Sequence, residues 1–327
     1  MPLKLRFGLV LPHFGEHASI EKCIEGSIRA EAYGLDSVWV KDHLVFAPYA
    51  MEGTDNTHIE GLLVLSAVAA VTKKLILGTA MTICHRHPIH LAQCFASLSR
   101  ISSGRVIMGM GLGGFPHEFS AAGLPSGMAE RACLVRTHVD LCRRLWAGEQ
   151  VSYEDAHYAF QNVQLRPRPV NPIPIWAGGS VPAACRRAME FAEGWLPARI
   201  TVPTFRKRVE YLQELSRNAA RPMMTVGVAP FTSIARDKET ALMPVNVKAL
   251  MDYANKNPTW VQPAAGVFST LDDIRGLVLA GTPKDIVRET RAYQAAGADL
   301  VIFDLRLRYG DWYQQIDWLG KEVLPAF

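Results

Sequence analysis

The chain alternates two hydrophobic rhythms from one end to the other. Short apolar runs suited to strands occupy 5–11, 36–40, 75–83, 105–110, 175–177, 195–196, 224–234 and 300–305. Between them the apolar residues return every three or four positions, the period of a helix with one buried face. The first such stretch carries Ile20, Ile24 and Ile28, with Ser19 placed to cap it and Gly34 to end it in left-handed backbone. Further helices are predicted over 60–72, from Pro88 to Gly104 (with Leu91, Phe95 and Leu98 on one stripe), and over 128–146 (with Val135, Val139 and Cys142). Three more are predicted over 182–193, 203–219 and 312–323. Thr282-Pro283-Lys284-Asp285 reads as a capping-box start, with proline at the first helical position, for a helix closed by Gly297.

Two stretches break the rhythm. Residues 150–174 are rich in proline and aromatics and read as a loop with a short β-hairpin, and 236–280 read as an insertion with one or two helices. What remains is about eight βα units in strict alternation, which requires a parallel sheet covered by helices. Over this length, eight units favour closure. The predicted fold is α/β, a (β/α)₈ TIM barrel forming one domain over 1–327, with insertions at about 150–172 and 236–280. Chemistry in such a barrel sits on the loops that follow the strands.

Composition narrows the classes of function. Of 327 residues, 49% are hydrophobic and 20% charged, with a net charge of +4 and no basic run, which argues against a nucleic-acid partner. The longest apolar segment, 62–71, is about half the ~20 residues a bilayer crossing needs. The opening ten residues break at Pro12 and His13 before they could form a signal peptide, so a cytoplasmic protein with no membrane partner is expected. The six cysteines (Cys23, Cys84, Cys94, Cys133, Cys142, Cys185) are scattered and read as reduced, small hydrophobic residues.

The ends of the strands carry the chemistry. Asp42-His43 follows the second strand, where an acid and an imidazole could position a proton at the barrel mouth. His85, His87 and His90 invite a metal assignment, but the spacing matches no metal motif; none is expected, and His87 is expected to fix the helix starting at Pro88. The fourth strand ends in Gly109-Met110-Gly111-Leu112-Gly113-Gly114, where glycines would let backbone approach a flat ring or an anion. A dinucleotide fingerprint is excluded there by context, because Phe115-Pro116-His117 follows and no helix is predicted to open. Gly178-Gly179-Ser180 lies directly before a helix, a natural phosphate site. Arg131, in the first turn of the long helix, is the best phosphate-binding arginine; Arg136, His138 and Glu60 read as ordinary helix-surface residues.

Together these segments resemble the luciferase-like monooxygenase superfamily. The resemblance rests on Phe7-Gly8-Leu9-Val10-Leu11-Pro12, Ala30 to His43, Leu77-Gly78-Thr79-Ala80, Arg86-His87-Pro88, Ser103-Gly104-Arg105-Val106, Leu145-Trp146, Pro174-Ile175-Trp176-Ala177-Gly178-Gly179, Gly194-Trp195 and Gly281-Thr282-Pro283. It runs in order from residue 7 to about 305 and is weak in 150–170 and 236–280. It implies a barrel, usually homodimeric, with a flavin-type ring in its mouth. It further implies a non-proline cis peptide at Ala80–Met81 behind the ring, and cofactor phosphate on the amides of Gly178 and Gly179.

The Asp-His pair resembles the branch that uses the deazaflavin coenzyme F420. The leading expectation is therefore hydride transfer between F420 and a small organic substrate, with His43 catalytic. The cofactor would be held by Asp42, Thr79, Ala80, Met81, Gly111, Gly113, Arg131, Gly178, Gly179 and Ser180, and walled by Phe14, Phe46, Phe115 and Trp176. The alternative is a monooxygenase using reduced FMN and oxygen; either enzyme could depend on a separate flavin or F420 reductase. A barrel that binds a ligand without catalysis is the third reading. Sugar-phosphate dehydrogenases of the deazaflavin branch carry a glutamate where Gly114 stands, and the next acid, Glu118, is four residues on, which argues against that chemistry here.

Overall fold

A computed structural model describes residues 4–49, 52–197 and 199–327. Residues 1–3 of the opening stretch, and 50–51 of the loop at 45–59, lie outside them. Strands β1 (Arg6–Val10), β2 (Ser37–Val40), β3 (Ile76–Thr79), β5 (Val106–Gly111), β8 (Ile175–Gly178), β9 (Gly194–Leu196), β10 (Thr225–Val228) and β13 (Leu300–Phe303) are parallel. They run in the order β3-β2-β1-β13-β10-β9-β8-β5, and β5 pairs back onto β3, which closes the barrel. The two-residue strand β4 (Thr82–Ile83) extends the rim by pairing with the end of β5.

Closure depends on how the interior is filled. Trp39 of β2 and Trp176 of β8, on opposite sides of the ring, meet inside it with centroids 5.4 Å apart. Their bulk explains glycines on adjacent strands. A Cβ on Gly78 would sit 2.3 Å from the Trp39 ring, and one on Gly194 would sit 2.4 Å from the Trp176 ring. Trp176 therefore packs the barrel interior, and the expectation that it walls the site is corrected.

Most helices fall where the apolar period put them: α1 (Ile20–Ala32), α2 (Gly61–Val71), α3 (Pro88–Ile101), α5 (Met128–Ala147), α6 (Pro182–Phe191), α7 (Val202–Asn218), α10 (Pro283–Ala295) and α11 (Trp312–Trp318). Ser19 caps α1 through Lys22 N, His87 accepts from Ile89 N at the start of α3, and Thr282 with Asp285 forms the capping box of α10. The irregular stretch at 150–174 holds an antiparallel hairpin, β6 (Val151–Glu154) and β7 (Ala159–Val163).

Four expectations are corrected or extended. Residues 75–83 are not one strand, because the chain turns out at Ala80–Met81, a cis peptide, between β3 and β4. Residues 224–234 are likewise two strands. The chain leaves the barrel after β10 at Ala229-Pro230, where proline offers no N–H to a ladder, and β11 (Phe231–Ile234) pairs with β12 (Val278–Gly281) outside it. The 236–280 insertion holds helices α8 (Lys238–Leu242) and α9 (Val247–Asn255) and ends in a strand that its composition did not announce. Finally, a helix does open after the fourth-strand glycines: α4 (Pro116–Ala121), with proline in its first turn and Glu118 beside it.

Candidate active site

The C-terminal ends of the barrel strands gather the polar side chains. After β1, His13 is fully buried. The Lys41 amide donates to its Nε2 (2.9 Å), so Nδ1 carries the proton and donates to the Ile59 carbonyl (2.7 Å). Burial, with His58 adding to it, lowers this imidazole to about 3. His13 is thus a fixed neutral strut that holds the loops after β1 and β2 together.

His43 follows β2 with its side chain only 8% exposed. The short helix α4 brings Glu118 to it. The Glu118 carboxylate accepts from the amides of Leu44 (2.7 Å) and Val45 (3.2 Å), and His43 Nδ1 lies 3.3 Å from its Oε1. Burial works to raise this carboxyl, but His43 and the two amides outweigh it and hold the group below its ordinary value. A carboxylate only accepts, so it draws the imidazole proton to Nδ1 and leaves Nε2 with its lone pair free. Phe46 and Phe115 flank the ring at 5.1 and 5.5 Å. His43, Glu118, Lys41, Asp42, Ala80, Met81, Ile83, Gly114 and Phe115 line one cavity of about 160 Å³. Larger hollows, of about 710 and 760 Å³, lie away from the barrel mouth, between α7, β12 and α10 and beside the start of β1, and neither contains a histidine.

The other expected residues have definite places. Asp42 does not hold His43. Its Oδ2 accepts from Ile83 N (2.8 Å) and Arg86 (2.6 Å), which fastens the loop after β4. Thr79 Oγ1 bonds the Gly109 amide (3.0 Å) and so locks β3 to β5. Met81 explains two of the glycines, because a Cβ at Gly111 or Gly178 would lie 2.9 Å from its side chain. Gly113 has φ +73, and a Cβ there would press on Phe119 at 2.8 Å. These glycines accommodate the protein's own packing, and access for a ring is not needed to explain them. Arg131 is 4% exposed, donates to the carbonyls of Ser126 and Gly113, and stacks on Phe119 at 4.5 Å. These contacts buckle α5 to the glycine loop.

At the other end of the cleft, Gly179 (φ +108) turns the chain into α6, and a Cβ there would meet Ala184 at 2.8 Å. No side chain caps this helix, and Ser180 accepts from the Trp260 indole (3.3 Å). Arg187, half-buried one turn on, stands beside Gly179 with no hydrogen bond or ion pair among the described residues.

Sequence reading missed a charged cluster altogether. Lys41 Nζ lies 2.6 Å from Glu52 Oε1, Arg306 binds both Glu52 and Asp304, and Arg199 lies 3.9 Å from Asp304 and bonds the Tyr49 hydroxyl. Charged residues directly after an apolar strand, as in Asp304-Leu305-Arg306, were the available signal.

A closed parallel barrel with its ionisable groups collected on the C-terminal rim defines an enzyme of the (β/α)₈ class. Residues 5–300 match the model of the luciferase-like monooxygenase family, and the chain belongs to that family. An F420-dependent glucose-6-phosphate dehydrogenase of Amycolatopsis mediterranei (strain U-32) is 27% identical over 324 residues, spanning 92% of this chain and 93% of the relative. An enzyme of the same name from Intrasporangium calvum is 32% identical over 330 residues, 93% of each chain. Among solved structures, an F420-dependent secondary alcohol dehydrogenase in complex with an F420-acetone adduct superposes with a TM-score of 0.82 at 20% identity over 99% of both chains, a likeness of fold.

Proposed function

We infer that this oxidoreductase transfers a hydride between coenzyme F420 and a small organic substrate, with His43 as the proton-handling residue. The reading is carried by one arrangement: His43 sits in the mouth cavity beside Ala80–Met81, with Nδ1 engaged by buried Glu118 and Nε2 without a partner among the described residues. F420 dependence in the full-length relatives supports the choice of coenzyme. The residues present suit a phosphate-bearing coenzyme, because the Gly178-Gly179 turn, the uncapped start of α6 and the half-buried Arg187 beside it together offer amides and a positive charge.

When bound, the coenzyme supplies the ring carbon that accepts or gives the hydride. The chain supplies the rest. His43 Nε2 takes the proton from a substrate hydroxyl in oxidation and returns it in reduction. Glu118 sets its tautomer, and Phe46 and Phe115 exclude water around it. A separate reductase or dehydrogenase would restore the coenzyme's redox state between turnovers. Calorimetric titration of the purified protein with F420 and with FMN tests the assignment: saturable F420 binding is expected, and tight FMN binding with none for F420 would replace it with the monooxygenase reading. In the same assay Gly179→Val should weaken F420 by about tenfold or more, since a branched side chain crowds the amides of the turn.

The homodimer is also proposed. Helix α2 contains no charged residue and leaves Leu63 68% exposed on the barrel's outside, where a polar face is the norm. A second copy covering this face accounts for it. Sedimentation should find a dimer that Leu63→Lys shifts toward monomer, and a wild-type monomer at all concentrations would refute it.

A further inference from the structure

The charged cluster at the barrel mouth does not complete itself. Lys41 and Arg306 both engage Glu52 through Oε1, and Glu52 Oε2 is buried with no donor among the described residues. Arg199 faces Tyr49 and Asp304 and lies 4.0 Å over the Phe231 ring, and its Nε is buried with no acceptor among the described residues. An unmet buried hydrogen bond is costly, and more so where the group is charged. One lone acceptor and one lone donor in the same cluster are therefore a costly arrangement for a purely structural network.

Aromatic rings cover part of the cluster. Phe14 lies 4.5 Å from Lys41 Nζ and 4.9 Å from the Arg306 guanidinium, and Phe231 lies 5.0 Å from the latter. Three basic side chains (Lys41, Arg199, Arg306) face two carboxylates (Glu52, Asp304), so the cluster carries one excess positive charge when Lys41 is protonated. Lys41 also lines the His43 cavity, and Tyr49 packs at 6.0 Å from Phe115 of that cavity, so the cluster borders the reaction site.

Building on the hydride-transfer reading, we propose that this cluster is the subsite for a substrate carboxylate, and that the substrate is a small hydroxy- or oxo-carboxylate. The carboxylate accepts from Arg199 Nε and neutralises the extra cation. The charge count sets the class. A carboxylate carries one negative charge, whereas a phosphate monoester carries about 1.5 to 2 and would overshoot. Burial and then Arg306 lower Lys41 to about 7, so an arriving anion also restores full charge to this lysine.

The test needs no turnover. Purified full-length protein is titrated calorimetrically with a series of two- to six-carbon hydroxy- and oxo-carboxylates, with their neutral amides and with inorganic phosphate, in the presence and absence of F420. At least one carboxylate is expected to bind saturably, at least tenfold tighter than its amide and than phosphate. Arg199→Met should weaken that carboxylate by tenfold or more while leaving F420 affinity within about threefold. Phosphate binding tighter than every carboxylate, or no carboxylate binding at all, overturns the proposal, and neither result depends on a variant folding. Carboxylate binding in a protein that ignores F420 would sink the hydride-transfer reading and leave the subsite standing.

Discussion

Replacing His43 with alanine is expected to lower turnover by about 10²–10⁴-fold, the range for losing a positioned acid–base group, while F420 affinity changes far less. Glu118 engages the imidazole at Nδ1, and Nε2 has no hydrogen-bond partner among the described residues, so it can take a substrate proton. Glu118→Gln isolates the positioning part. The amide oxygen can still accept from Leu44 and Val45, but the charge that draws the proton to Nδ1 is gone. A smaller loss in kcat is expected, with KM little changed and the pH–rate profile displaced. Turnover untouched in His43→Ala would make the residue a mere loop side chain and send the search for the proton carrier to Lys41, its neighbour in the cavity.

The second large effect is acid destabilisation centred on His13. Its folded value of about 3 lies well below the ~6.5 of an unfolded histidine. Between those values the unfolded chain binds a proton that the folded chain refuses. Stability is therefore complete above about pH 6.5 and declines as pH falls toward about 3, by up to about 1.4 kcal/mol per unit and on the order of 4–5 kcal/mol in all. His58, lowered to about 4 chiefly by burial and then by His43, acts with the same sign. Urea unfolding between about pH 7 and about pH 5 checks this, in a window above the range where most carboxylates titrate. A flat stability across it would mean that His13 accepts a proton without leaving its hydrogen bonds.

The barrel was legible because each strand is an apolar run between helices whose stripes repeat at the helical period, and both signals are local. What failed was local too, but subtler. Ala80–Met81 and Ala229-Pro230 interrupt runs whose hydrophobicity continues unbroken, so two pairs of strands read as single ones. Helix α4 follows four closely spaced glycines and spans six residues, too short for a period to show. That oversight hid the approach of Glu118 to His43. The charged cluster was beyond reach for another reason, since Arg306 and Glu52 are 254 positions apart and only closure of the barrel makes them neighbours.

The β11–β12 ribbon has a consequence for engineering. Thr232 N bonds the Asp304 carbonyl, Phe231 N bonds that of Leu277, and four registered pairs hold the two strands side by side. Both stalks of the 236–280 excursion are thus moored to the rim next to Asp304. What lies between them is also fastened to the barrel's flank, since the Trp260 indole donates to Ser180 and Arg208 donates to the Thr259 carbonyl. A foreign loop spliced onto the two stalks should therefore keep the ribbon paired but must replace those contacts to leave the start of α6 in place.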